Sequence, residues 1–165
     1  MDAIVYTSEA GHTKAYAELL GGRLGLPVYA RGAAECARGA EIIYLGWLMG
    51  GFIKGYAKAK RRYTVRAVCG VGMSGDDSQR AEVQKVNRIP DALPLFLLQG
   101  GFELDKLHGI YKMMMRTMKN TAGKAIAGKA DRTPGEDEML ELLTRGGNRV
   151  SEENLKEILL WADKQ

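Results

Sequence analysis

Short apolar runs alternate along this chain with stretches whose apolar residues recur at helical spacing. Residues 2–7 read as a first strand built on Ala3-Ile4-Val5-Tyr6. A helix over 13–24 follows, with Ala17, Leu20 and Leu24 on one face and Gly25 and Pro27 closing it. Val28-Tyr29-Ala30 is a short second strand, and a brief helix is expected over 33–38. Residues 41–46 form a third strand, almost continuously apolar, as parallel strands covered on both faces are. A loop at 47–52 leads into a basic helix ending near Arg62. Residues 64–71 make a fourth strand, and Asp76, Asp77 and Ser78 are suited to cap the helix after it, which stops before Pro90. Residues 93–99 make a fifth strand, broken by Gly100-Gly101. A long helix from Leu104 carries Leu104, Leu107, Tyr111, Met114 and Met118 on one face. Residues 120–137, rich in Gly, Lys and Asp, read as a mobile loop. Ser151 with Glu152 and Glu153 opens a last helix whose buried stripe is Leu155, Ile158, Leu159 and Ala162.

Strands alternating with helices predict an α/β fold, an open parallel sheet with helices on both faces, in a single domain over 1–165. In such sheets ligands bind at the carboxyl ends of the strands, where the strand order reverses. The loops to inspect are therefore 7–13, 46–52, 70–78 and 99–103.

Composition narrows the class. With 165 residues, 45% hydrophobic and 27% charged, the chain suits one ordinary globular core. No apolar run approaches the ~20 residues of a membrane span, and the start does not read as a secretory signal. Cys36 and Cys69 have neither metal-ligand nor CxxC spacing, so both are expected as small core residues and a cytoplasmic location is expected. The net charge of +4 is concentrated in two clusters. Lys54, Lys58, Lys60, Arg61 and Arg62 form one; Lys112, Arg116, Lys119, Lys124, Lys129 and Arg132 form the other. Solvated helix faces are the plain reading. An acidic partner or the inner face of an anionic membrane is the sharper one. Nucleic acid is disfavoured because no stacking aromatics interleave with the cations.

Candidate chemistry lies where the first strand meets the first helix. Thr7-Ser8-Glu9-Ala10-Gly11-His12-Thr13 brings hydroxyls, a glycine and helix N-terminal N–H groups to one point, an arrangement that favours a phosphate. The loop is neither G-x-x-x-x-G-K-[ST] nor G-x-G-x-x-G, which argues against a nucleoside triphosphatase and a dinucleotide enzyme. Thr7 and Trp47 stand where a phosphorylated receiver domain needs acids. No catalytic triad, metal cluster or paired carboxylate competes. His12 reads equally as a neutral donor to the phosphate or as a solvent-facing turn residue, and His108 as structural.

At these residues the chain resembles the flavodoxin family, whose FMN-phosphate loop reads [ST]-x-T-G-x-T. Ser8-Glu9-Ala10-Gly11-His12-Thr13 fits it except at Ala10, which lacks the hydroxyl. The style is closest to the branch that includes menaquinone-dependent protoporphyrinogen dehydrogenase, which also has a long Met- and Lys-rich helix after strand five. Here Tyr111-Lys112-Met113-Met114-Met115-Arg116-Thr117-Met118-Lys119 stands in that place. The resemblance implies a five-stranded sheet of order 2-1-3-4-5 and an FMN cofactor. It implies electron transfer, or an FMN-dependent oxidoreductase acting on a quinone or porphyrin-like molecule; a module that kept the fold and lost the flavin is the third reading. It also implies a redox partner protein or such a small molecule as the counterpart, and peripheral membrane contact through the basic Met-rich helix. Ser8 and Thr13, with Thr7 beside them and the N–H groups of 9–13, would hold the phosphate, with Glu9 turned outward. From Trp47-Leu48-Met49-Gly50-Gly51-Phe52, Trp47 or Phe52 would stack on the ring. One of Gly50 and Gly51 would flip its peptide toward flavin N5. The loop after strand four, Gly72-Met73-Ser74-Gly75, lacks the aromatic usual in that family and leaves one ring face open.

Overall fold

The computed structural model describes residues 1–33, 35–75 and 77–165. Its elements run β1 (Ala3–Thr7), α1 (His12–Leu24), β2 (Val28–Ala30), β3 (Glu41–Met49), β4 (Phe52–Ile53), α2 (Tyr56–Arg62) and β5 (Thr64–Gly72). Then come α3 (Arg80–Asn87), β6 (Leu95–Gln99), β7 (Gly101–Phe102), α4 (Gly109–Ala127), α5 (Pro134–Arg145), β8 (Gly147–Asn148) and α6 (Lys156–Ala162). The long strands form one parallel sheet in the order β2-β1-β3-β5-β6. The expected arrangement of the five main strands therefore holds.

The sheet explains why its strands are apolar without alternation: both faces are buried. Ile42 and Tyr44 of β3 face a core completed by Tyr56 and Ala59 of α2 and Val83 of α3. Ile43 and Leu45 face the opposite core, completed by Tyr16, Ala17 and Leu20 of α1 and by Leu155 and Ile158. All four of these β3 side chains are fully buried. Removing a fully buried leucine or isoleucine from such a position costs about 2–5 kcal/mol.

Several boundaries differ from the sequence expectation. β3 runs past Gly46 to Met49 and turns back antiparallel into β4, with Met49 opposite Phe52. Gly50 (φ 55) and Gly51 (φ 79) form the two-residue connection, whose left-handed pair of residues is the turn that matches strand twist. The segment 47–52 is thus a hairpin rather than a loop. The described residues of 33–38 form turns and bends instead of a helix, and Ala34 lies outside the described residues. Arg62 Nη2 donates there to the carbonyls of Ala33 and Cys36, which ties up groups a helix would use. Asp76, expected as a cap, lies outside the described residues; Asp77 pairs with Arg80 at 2.6 Å.

The largest correction concerns 120–137. Residues up to Ala127 continue α4, and α5 begins at Pro134, so most of this stretch is helical. α5 opens with a complete capping box: Thr133 Oγ1 accepts from Glu136 N–H at 3.3 Å, and Glu136 Oε2 accepts from Thr133 N–H at 3.1 Å. α4 and α5 enclose a third core of Phe102, Ile126, Leu142 and Leu143, with Met115 and Met118 against it. The buried stripe of α4 therefore uses Met115, whereas Met114 is 42% exposed. β7 pairs with β8 and fastens this layer to the end of β6. Cys36 and Cys69 are buried and unbridged.

Candidate functional site

β1 lies between β2 and β3, so the chain order reverses where β1 and β3 part. α1 starts beside that point. Gly11 is its N-cap at φ 96, no side chain caps the helix, and its first turn has no acid. The first intrahelical bond runs from Ala15 N–H to the Gly11 carbonyl. The N–H groups of His12, Thr13 and Lys14 are thus left without intrahelical acceptors. Thr13 is 1% exposed, yet no hydrogen bond to its hydroxyl is present among the described residues.

A cleft, open at its mouth, lies across the ends of β1, β3, β5 and β6. Ser8, Glu9, Ala10, His12, Thr13, Trp47 and Leu48 all line it. Val71, Met73, Phe102 and Met115 make its wall largely apolar.

The other expected residues stand elsewhere. Met49, Gly50 and Gly51 do not line this cleft; they form the hairpin end, where Asn87 Nδ2 donates to the Gly51 carbonyl at 2.8 Å. Gly11 borders an adjoining depression with Lys14 and Arg31. The Ser8 hydroxyl accepts from Gly11 N–H at 3.1 Å, which closes the loop on itself.

Thr7 belongs to a relay of hydroxyls. Tyr44 donates to the Lys54 carbonyl at 2.7 Å, so its oxygen accepts from Thr7, also at 2.7 Å. The Thr7 oxygen in turn accepts from Arg31 Nε at 3.1 Å. A Cβ on Gly55, at φ 82, would fall 2.2 Å from the Tyr44 hydroxyl and 2.5 Å from that of Thr7, so only glycine permits this approach. Burial pushes the Tyr44 phenol up to about 12, although the Thr7 bond and the Arg31 charge act the other way.

His12 is buried rather than turned to solvent. Its Nε2 meets Glu103 Oε2 at 2.7 Å, and Lys106 Nζ meets the same carboxylate oxygen at 3.0 Å. Partial burial raises the Glu103 carboxyl, but the bonds from Lys106 and His12 outweigh it and hold the group below its ordinary value. Glu103 and Tyr111 both went unforeseen as site residues. Tyr111 meets Trp47 edge-on, with centroids 5.2 Å apart and planes at 88°. Lys54 Nζ stands 5.6 Å from the Trp47 ring centre and 5.8 Å from that of Tyr111. No signal local to either residue marks these pairings, which join distant segments.

Among the described residues no group of His, Cys, Asp or Glu is arranged to hold a metal ion, and no helix is long and apolar enough to cross a membrane. Comparison of the chain with protein-family models, with curated proteins and with solved structures finds no match.

Proposed function

We propose that this chain is a flavodoxin-like protein that holds FMN at the start of α1 and carries electrons. The observation that supports the reading most is the Thr13 hydroxyl, which lines the cleft without a hydrogen bond among the described residues, beside three helix N–H donors that no side chain caps. That donor set suits a phosphate monoester, because helix N-terminal groups favour an anion and need no lysine. The residues present fit the group. Thr13 and the N–H groups of His12, Thr13 and Lys14 would hold the phosphate, while Trp47, Leu48 and Met73 offer apolar walls to a flat ring.

Bound FMN would supply the redox chemistry. The protein's own part is to bind, orient and shield. His12, fixed by Glu103, anchors the start of α1 to the segment after β7. Tyr111 packs edge-on to Trp47 and limits the directions that ring can turn. Of the two hairpin glycines, Gly51 has its carbonyl held by Asn87. A peptide reorienting toward the flavin would then be the one that carries the Gly50 carbonyl.

Two features favour other readings. The engaged Ser8 hydroxyl and the residue Glu9 on the cleft favour a module without flavin. The exposed Ile110 and Met113 on the basic helix α4 favour an FMN-dependent oxidoreductase that meets a quinone or porphyrin-like molecule. Titration of the purified protein with FMN, read by flavin absorbance and fluorescence quenching, separates the cases. Saturable one-to-one uptake supports the carrier and the enzyme, and turnover of a quinone analogue then divides them. Absence of uptake leaves the flavin-free module.

A further inference from the structure

A second cleft, about 690 Å³ and open to solvent, lies between the β3–β4 hairpin, α2 and the end of α3. Arg31, Lys54, Lys58, Lys60, Arg61 and Arg88 line it, against the single acidic residue Glu9. No ion pair involves any of these cations among the described residues. Cations elsewhere on the surface do find acids: Arg23 meets Glu152, Arg80 meets Asp77 and Arg132 meets Asp137. Like charges gathered around one concavity repel, and an anion relieves that repulsion.

Two independent features say the cleft is built rather than incidental. Arg88 is the one non-glycine with positive φ among the described residues, at φ 54. It caps the end of α3, where glycine fits at least cost, and a larger residue there carries about 1 kcal/mol of backbone strain. Arg31 is held through Nε by Thr7, and among the described residues its outer amino groups make no hydrogen bond. Phe52, 55% exposed, and the Trp47–Tyr111 pair also line the cleft, with Lys54 over both rings of that pair.

We propose that this cleft binds a nucleoside diphosphate. Arginine forks match phosphate oxygens in pairs, and Arg31, Arg61 and Arg88 with Lys58 supply the charge a diphosphate needs. Phe52 and Trp47 offer an aromatic surface to the base. A concavity that brings cations and aromatics together suits a compact ligand better than an extended strand or a flat protein face. The proposal stands apart from the flavin reading, although Trp47 borders both clefts.

Calorimetry and tryptophan fluorescence on the full chain test it with adenosine diphosphate, adenosine and pyrophosphate. Adenosine diphosphate is expected to bind about tenfold or more tightly than either fragment. Arg88→Gly, which the left-handed backbone accepts, together with Arg61→Gln, is expected to weaken it about tenfold or more and to leave FMN uptake unchanged. Arg61→Gln alone, on an exposed side chain, is expected to weaken binding in the same direction should the double variant not fold. The proposal is overturned by no response at about 1 mM ligand, by pyrophosphate binding as tightly as the nucleotide, or by variants that bind like the parent. It is equally overturned if FMN displaces the nucleotide mole for mole, since the cleft would then be the flavin's own.

Discussion

His12 Nε2 and Glu103 Oε2 lie 2.7 Å apart, although 91 positions separate them in the chain. The contact fastens the first turn of α1 to the segment after β7 and makes one wall of the cleft. Glu103→Gln is expected to cost about 1–3 kcal/mol at neutral pH, the range for a charge-assisted bond that loses its ionised partner. The folded carboxyl is held low, so its contribution is present above the ordinary value of 4.5 and is lost as pH falls through the lowered one. Urea unfolding at neutral and acid pH checks this. The gap between parent and variant should close on acidification; a gap that stays constant would count against the ion-pair account.

The Arg31–Thr7–Tyr44–Lys54 relay predicts a late-titrating phenol. Tyr44, raised to about 12, stays neutral past the ordinary 10.0. Its stabilisation is therefore present below 10.0 and is lost as pH rises through about 12. In an ultraviolet titration Tyr44→Phe should remove a step from the alkaline end. Removing the hydroxyl also takes the acceptor from the Thr7 hydroxyl proton and the donor from the Lys54 carbonyl, at about 1–3 kcal/mol.

Thr13→Val separates binding from folding. The side chain is buried and its hydroxyl is unbonded, so a near-isosteric apolar replacement should leave thermal stability equal or higher. FMN affinity should fall about tenfold to a hundredfold, the equivalent of one hydrogen bond to a charged group. Unchanged affinity would remove Thr13 from the phosphate site.

The methionines of α4 have different duties. Met113 is 64% exposed, and Met113→Gln should shift stability by less than about 0.5 kcal/mol. Met115 packs in the α4–α5 core and lines the cleft, so Met115→Gln should cost about 1–3 kcal/mol. Chemical denaturation of the two variants is the comparison.

Thr133→Ala should cost about 1 kcal/mol by opening the capping box of α5. Hydrogen exchange in α5 should quicken first, because the lost bonds belong to that helix's first turn.

The main sheet was legible in the sequence because burial on both faces writes itself as unbroken apolar runs. Glu41-Ile42-Ile43-Tyr44-Leu45 could hardly be anything but a covered parallel strand, and β2-β1-β3-β5-β6 follows as one of few ways to cover five such strands. The donor-rich turn at 7–13 was legible too, since strand, polar loop and helix are neighbours in the chain. α5 was readable and missed. Thr133-Pro134-Gly135-Glu136 spells a capping box with proline at the first helical turn, and the surrounding Gly, Lys and Asp content obscured it. The β3–β4 hairpin was masked in the same way, by two glycines that read as a loop and serve as its turn.

Only the tertiary structure decided what those loops touch. Nothing near His12 announces Glu103, nothing near Trp47 announces Tyr111, and nothing near Thr7 announces Tyr44 and Arg31. Local sequence fixes periodicity and backbone preference over a few residues, whereas a contact between distant segments depends on where the sheet's strand order brings their ends. The same placement gathers scattered cations from α2 and from just past the ends of β2, β4 and α3 around one cleft. In the chain they are separate charges; only folding turns them into a shared field.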